Sequence, residues 1–197
     1  MSHIPVTLAT LQTHMAARFD GSPFWTADEA RRCLNEALRV WNSLTGQWRT
    51  RAVLPAVNGP WIALPAALTY PARVDFDDYP MRKSSVLQMD LGRPHWEGEK
   101  TTDGGEVPTK PVVWAPFGLY KVAIWPSDPT PDHCLVVDGL AQTPVLSAGA
   151  DVVQLGEEDL SLLTGYALHA AAFKVGGPVF EATLPLYYAF LRGAGKQ

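Results

Sequence analysis

The sequence predicts an α+β fold: helices from both ends of the chain form a small bundle, and an antiparallel, sandwich-like β-rich region is inserted between them. Three observations predict it. Apolar residues recur at helical spacing in residues 1–47 and again in 156–197. Over residues 48–155 the apolar runs shorten, and most of the 17 prolines fall there. The chain is 47% apolar and 18% charged over 197 residues, enough for a true core and too apolar for a disordered chain.

In the first helical stretch, Leu8, Leu11, Met15 and Phe19 place one apolar stripe on a helix over Thr7–Phe19. Gly21-Ser22-Pro23 breaks it. Thr26-Ala27-Asp28-Glu29 then forms a capping-box pattern: the Thr26 hydroxyl accepts from the Glu29 N–H while the Glu29 carboxylate reaches back. Behind it Ala30, Cys33, Leu34, Ala37, Leu38, Trp41 and Leu44 line one face, and Arg31, Arg32, Asn35, Glu36, Arg39 and Asn42 line the other. Gly46 is a left-handed stop.

Short extended runs follow at Arg51–Val57, Trp61–Leu64, Val86–Met89, Val112–Trp114, Leu119–Trp125 and Cys134–Leu140. Asn58-Gly59 suits a tight hairpin turn between the first two, with Pro60 opening the return strand. In Leu119–Trp125 both alternating faces are partly apolar. Prolines at strand ends favour short antiparallel strands over parallel strands with crossover helices. Gly92–Lys110 is polar and rich in glycine and charge, the composition of an exposed loop.

Helical patterning returns at Gly156. Glu157, Glu158 and Asp159 suit the positive end of a helix dipole and Lys174 the negative end. The residues between them, from Leu160 to Phe173, are apolar nearly all round, as in a centrally buried helix. Gly176-Gly177-Pro178 ends it. Val179–Arg192 contains Pro185, so a kink or two short helices is expected, and Gly193–Gln197 reads as a frayed tail.

No recognisable catalytic centre emerges. Nucleotide-binding glycine loops, HExxH, CxxC and GxSxG are all absent. Asp75-Phe76-Asp77-Asp78 gathers three carboxylates without the spacing of a calcium loop, and reads as a solvated turn. His133 and Cys134 are strand neighbours whose side chains diverge, so a thiolate–imidazole pair is not expected. His169 reads as a hydrogen-bonded core histidine. Cys33 and Cys134 read as two reduced thiols, with neither metal nor cofactor implied. No secretory signal or apolar span of about 18 residues is found, so a cytosolic protein is expected. A net charge of −4 with scattered Lys and Arg argues against gripping nucleic acid through phosphates.

The aromatic residues are the remaining signal. Trp114 and Trp125 read as core. Trp96 lies in the polar loop Pro94-His95-Trp96-Glu97 and is a candidate contact residue. Leu186, Tyr187, Tyr188, Phe190, Leu191 and Arg192 are too apolar for a free terminus; they either pack on the bundle or dock onto another subunit. A monomeric carbohydrate- or peptide-binding module using the Trp-rich β-region is the alternative reading.

The order of these features resembles the head-to-tail adaptor (connector, or tail tubular) proteins of tailed bacteriophages. The opening TLATLQTHMAARF is followed by FWTADEARRCLNEALRVWNSLTGQW, then a β-rich insertion with YKVAIWPSDP, then a closing helical pair. Phe24, Trp25, Glu29, Leu34, Asn35, Glu36, Ala37, Arg39, Trp41 and Asn42 carry the helical motif; Ile124, Pro126 and Pro129 carry the strand end. Pro185 in the final helix departs from the pattern. The resemblance implies a homo-oligomeric ring, a dodecamer in the family, in the neck of the virion and assembled in the host cytoplasm. DNA would pass through its lumen without specific binding. By the same analogy, the C-terminal segment would bind the portal protein, and the β-region and loops would face a tail or nozzle protein.

Overall fold

The structure is a computed structural model that describes residues 3–18, 25–55, 59–103, 105–130 and 132–195. The expected break at Gly21-Ser22-Pro23, the motif residue Phe24, Asn58 of the expected turn and the last two residues of the tail lie outside these. The first elements in chain order are β1 (His3–Thr7), α1 (Leu8–Arg18), α2 (Ala27–Thr45), β2 (Arg49–Pro55), β3 (Trp61–Ala63) and β4 (Leu68–Phe76). The middle of the chain continues with β5 (Tyr79–Pro80), β6 (Arg82–Lys83), α3 (Val86–Gly92), β7 (Val113–Phe117), β8 (Lys121–Trp125) and β9 (Cys134–Ala141). The last elements are β10 (Val152–Gly156), α4 (Asp159–Ala172), α5 (Gly177–Ala182) and α6 (Leu184–Ala194). The fold is α+β, and its strands are antiparallel except for β6 against β7.

The chain forms two compact units, one from residues up to Gln47 together with those from Thr143 onward, the other Trp48–Gln142. In the first unit, α2 begins as its sequence dictates. The Thr26 side chain accepts from the Glu29 N–H, the Glu29 carboxylate accepts from the Thr26 N–H at 2.9 Å, and Gly46 closes the helix at φ 65°. α4 packs against α1, α2 and α6, the central position its all-round apolar sequence predicts. Its contact with α6 is close: a Cβ on Gly193 would lie 2.3 Å from Leu162 Cδ1. Pro185 sits in the first turn of α6, where its missing N–H breaks no intrahelical bond, so the segment is two short helices, α5 and α6.

Chain return to this unit comes at Thr143, earlier than the change of patterning near 156 suggests. Asn35 and Asn42, expected on the solvent face of α2, are buried and explain it. The Asn35 amide donates to the Leu146 carbonyl and its oxygen accepts from the Leu146 N–H, both at 2.8 Å. Asn42 donates to Thr143 Oγ1 at 3.0 Å. β10 then pairs along β1, with Val6 opposite Val153. Neither of these strands stands out in the sequence, because each is only five residues long and borders a stronger helical signal.

The second unit holds two four-stranded sheets, ordered β2-β9-β4-β5 and β3-β8-β7-β6. Val74, Phe76, Leu135 and Val137 of the first meet Ile62, Trp114, Val122 and Ile124 of the second in one core. β2 and β3 do not form the expected hairpin: β2 pairs with β9 and β3 with β8, in different sheets. The run Val86–Met89, expected to be extended, is helical. Ser85 accepts from the Gln88 N–H and Gln88 Oε1 accepts from the Ser85 N–H, a second capping box. α3 covers the other face of β7 and β8, where Met89, Trp96, Val113, Ala115 and Ala123 form a second small core. That cover is why both faces of β8 are apolar.

Candidate functional site

An aromatic surface lies where α4 ends and α5 and α6 begin. His169, one turn before the end of α4, stacks on Phe180 of α5 at 4.5 Å and on Tyr187 of α6 at 5.2 Å. Phe173 meets Phe180 edge-on at 5.7 Å, and Tyr187 meets Tyr188 at 5.7 Å. Five rings thus run from Phe173 to Tyr188, and its two ends are exposed: 75% for Phe173 and 54% for Tyr188. Val175 and Val179 beside them are exposed too. Exposed aromatics held by packed neighbours lose little freedom on binding, which is what an interface anchor needs.

His169 organises this surface. The Thr183 hydroxyl donates to the Phe180 carbonyl at 2.7 Å, so the imidazole Nδ1–H donates to Thr183 Oγ1 at 2.8 Å. Burial pushes its pKa below the ordinary histidine value, favouring the neutral imidazole. It is the hydrogen-bonded histidine its helical setting suggests.

The residues singled out in the last helix divide. Phe190 is fully buried against Trp41 (5.3 Å) and Tyr166 (4.5 Å) and is a core residue. Leu186, Tyr187 and Leu191 are half-buried, while Tyr188 and Arg192 face outward. Trp96 is no exposed anchor: it is 2% exposed, seated in a 3-10 turn at Trp96–Gly98, and its indole N–H donates to Asp90 at 2.7 Å. The polar stretch around it hides it because a tryptophan one turn past α3 reaches the apolar underside of that helix. Trp114 is buried, and Trp125 is half-buried with its N–H on Glu99. These side chains form no exposed row.

Asp75, Asp77 and Asp78 separate in the structure. Asp75 is buried and pairs with Arg73, while Asp77 and Asp78 make the turn into β5 at φ 44° and 67°. The carboxylate that matters here was not evident in sequence. Asp128 is buried, accepts from the Thr130 N–H at 2.9 Å and bonds to His133 Nδ1. His133 Nε2 lies 3.7 Å from Asp77. The bond to Asp128 raises the His133 pKa; burial alone would raise that of Asp128, but the bonds from His133 and Thr130 outweigh it and lower it. Burial and the Asp77 charge push the Cys134 thiol up, the opposite of activation for attack. Among the described residues no three His, Cys, Asp or Glu side chains come together to hold a metal. No helix among them is long and apolar enough to cross a membrane.

A row of aromatic rings exposed at both ends has the make-up of a contact surface. Residues 6–195 match the family model described as SU10 adaptor protein. The chain belongs to the SU10 adaptor family. No curated protein matches it. The adaptor is therefore a structural protein of bacteriophage, with its place in the virion and other phage structural proteins as its partners. In this adaptor, sequence reading misses Phe173 and Phe180 because an apolar helix end reads as core. The signal that could find them is the Gly176-Gly177-Pro178 break, since connections between helices run over the surface.

Proposed function

We propose that the adaptor forms a closed ring, a dodecamer, between the portal protein and a tail or nozzle protein, and that DNA passes through its lumen during genome ejection. The observation that carries this reading is the aromatic row from Phe173 to Tyr188, a preorganised apolar surface on a chain of the adaptor family. A net charge of −4 fits a passage that does not retain DNA, since retention needs clustered cations. The contact surface for the portal is Phe173, Val179, Tyr188 and Arg192, supported by the half-buried Leu186, Tyr187 and Leu191. The C-terminal segment binds the portal, and the β-rich region and its loops bind the tail or nozzle protein.

Mixing the purified adaptor with the portal of the same virion, then measuring co-elution and mass by light scattering, tests this. The wild-type chain co-elutes with the portal at ring stoichiometry. Phe173→Glu combined with Tyr188→Glu abolishes co-elution while the circular dichroism spectrum stays unchanged. Undiminished co-elution of the double variant would remove this surface from the portal contact.

A further inference from the structure

Arg82 of β6 and Ser84 just beyond it line a cavity of about 220 Å³, together with Gln88, Gly92 and Arg93 from α3 and its end. Side chains two apart on an extended stretch point the same way, so Lys83 between them lies elsewhere, over the rings of Tyr70 and Trp114. The apolar neighbours Met89, Trp96 and Val113 are almost fully buried. What the cavity offers a ligand is therefore its polar side chains and the half-buried Trp125 ring. Its volume is below the ~300–1,000 Å³ typical of small-molecule sites and holds the end of one side chain.

Those polar side chains present donors. Gln88 Oε1 already accepts from the Ser85 N–H and the Ser84 hydroxyl, both at 3.2 Å, which leaves its amide NH2 for a ligand. Arg93 gives its Nε–H to Glu99 and lies 4.7 Å over the Trp125 ring, so its terminal N–H groups stay available. Glu99 is spent, since it also accepts from the Trp125 indole N–H at 2.6 Å. Arg82 is exposed and makes no ion pair among the described residues. Arg82 and Arg93 set against Glu99 leave one positive charge. One charge with flat, forked donors suits a carboxylate, itself a flat monoanion. Past Trp96 the surface carries Asp90 and Glu97, which repel a polyanion such as DNA. α3 adds a second feature. Leu87 and Leu91, one turn apart, are 66% and 77% exposed beside Gln88 and Gly92. A free anion makes no use of them, whereas a protein segment does.

We propose that this cavity binds the carboxylate of a glutamate or aspartate on a partner protein, with Leu87 and Leu91 taking the apolar residue beside that acid. Arg82 supplies the charge, and Arg93 and Gln88 add directed hydrogen bonds. Glu99 holds Arg93 against Trp125, so its fork is set before the ligand arrives. The site lies wholly within the β-rich unit and does not depend on ring closure. A protein partner accords with an adaptor, whose partners are other phage structural proteins.

Titrating the full chain with acetyl-Glu-Leu-amide tests the site, read from the indole N–H signals of Trp125 and Trp96 in proton–nitrogen correlation spectra. Both signals move at millimolar dipeptide. Acetyl-Gln-Leu-amide binds the wild type, and acetyl-Glu-Leu-amide binds Arg82→Ala, about tenfold or more weakly, the loss expected when a charge-assisted hydrogen bond goes. Arg82→Lys keeps part of the affinity. Leu91→Ser weakens the dipeptide but not acetate. Signals that stay still, equal binding of the two dipeptides, or undiminished binding by Arg82→Ala overturns the carboxylate site. Tighter binding of dimethyl phosphate makes it a phosphodiester site and overturns the proposal too. Acetate that binds as tightly as the dipeptide overturns the protein partner.

Discussion

Replacing Phe190 with Ala separates the core role of the last helix from its surface role. Phe190 is fully buried between α6, α4 and α2. Removing its ring returns about 130 Å² of apolar burial, roughly 3 kcal/mol at ~25 cal/mol per Å². Its contacts with Tyr166 at 4.5 Å and Trp41 at 5.3 Å are ring pairs in favourable range. Such pairs contribute about 0.5–1.5 kcal/mol each beyond burial. The expected loss is about 4 kcal/mol, within the ~3–5 kcal/mol typical of buried Phe→Ala changes. Native-state hydrogen exchange reads it directly: the amides of α4 and α6 exchange roughly a thousandfold faster, since about 1.4 kcal/mol is tenfold. Tyr188→Ala, two residues away on the exposed side, changes exchange by about twofold or less, the ~0.5 kcal/mol scale of surface substitutions. An acceleration below tenfold for Phe190→Ala, or an effect of Tyr188→Ala as large as that of Phe190→Ala, would refute this division. It also dictates how the C-terminal surface is probed: deleting Leu186–Gln197 would remove Phe190 and unfold the bundle, so point changes at Phe173 and Tyr188 are the informative ones.

Three further outcomes follow from the geometry. Gly139→Ala places a Cβ 2.2 Å from the Tyr70 carbonyl oxygen, a backbone atom that cannot swing aside, so the β-rich unit loses about 3 kcal/mol in urea unfolding, at the high end for overpacking. Asn35→Ala leaves the Leu146 N–H and carbonyl without their side-chain partner, which costs about 2 kcal/mol or more by the same assay. The His133–Asp128 pair makes stability pH-dependent. The His133 pKa is raised from the 6.5 of a free imidazole, so its contribution is complete below pH 6.5 and fades as pH rises through the raised value. The Asp128 pKa is lowered from 3.8, so its contribution is present above that pH and is lost as pH falls through the lowered value. Thermal melts across pH show both slopes in the wild type, and His133→Gln flattens the upper one.

The sequence makes α2, α4 and the break at Pro185 legible because each rests on local rules: a capping box, an all-round apolar run, a missing N–H. α3 has an equally local signal, Ser85 with Gln88, hidden behind an apolar run that also suits a strand. Long-range partners are not legible at all. β2 and β3 are neighbours in sequence yet join different sheets, which only their pairing with β9 and β8 reveals. Asn35 and Asn42 read as solvent residues until Leu146 and Thr143 come to meet them. The same holds for the surface. Trp96 stands among polar residues and is buried, whereas Phe173 stands among apolar ones and is exposed, because exposure depends on what the neighbouring helices cover.

The most direct test of the adaptor's proposed role is electron microscopy of the purified chain mixed with the portal of its own virion. A closed ring of adaptor subunits, coaxial with the portal and open along its axis, is the expected image. Adaptor subunits that remain single in solution, with every portal particle bare, would contradict it.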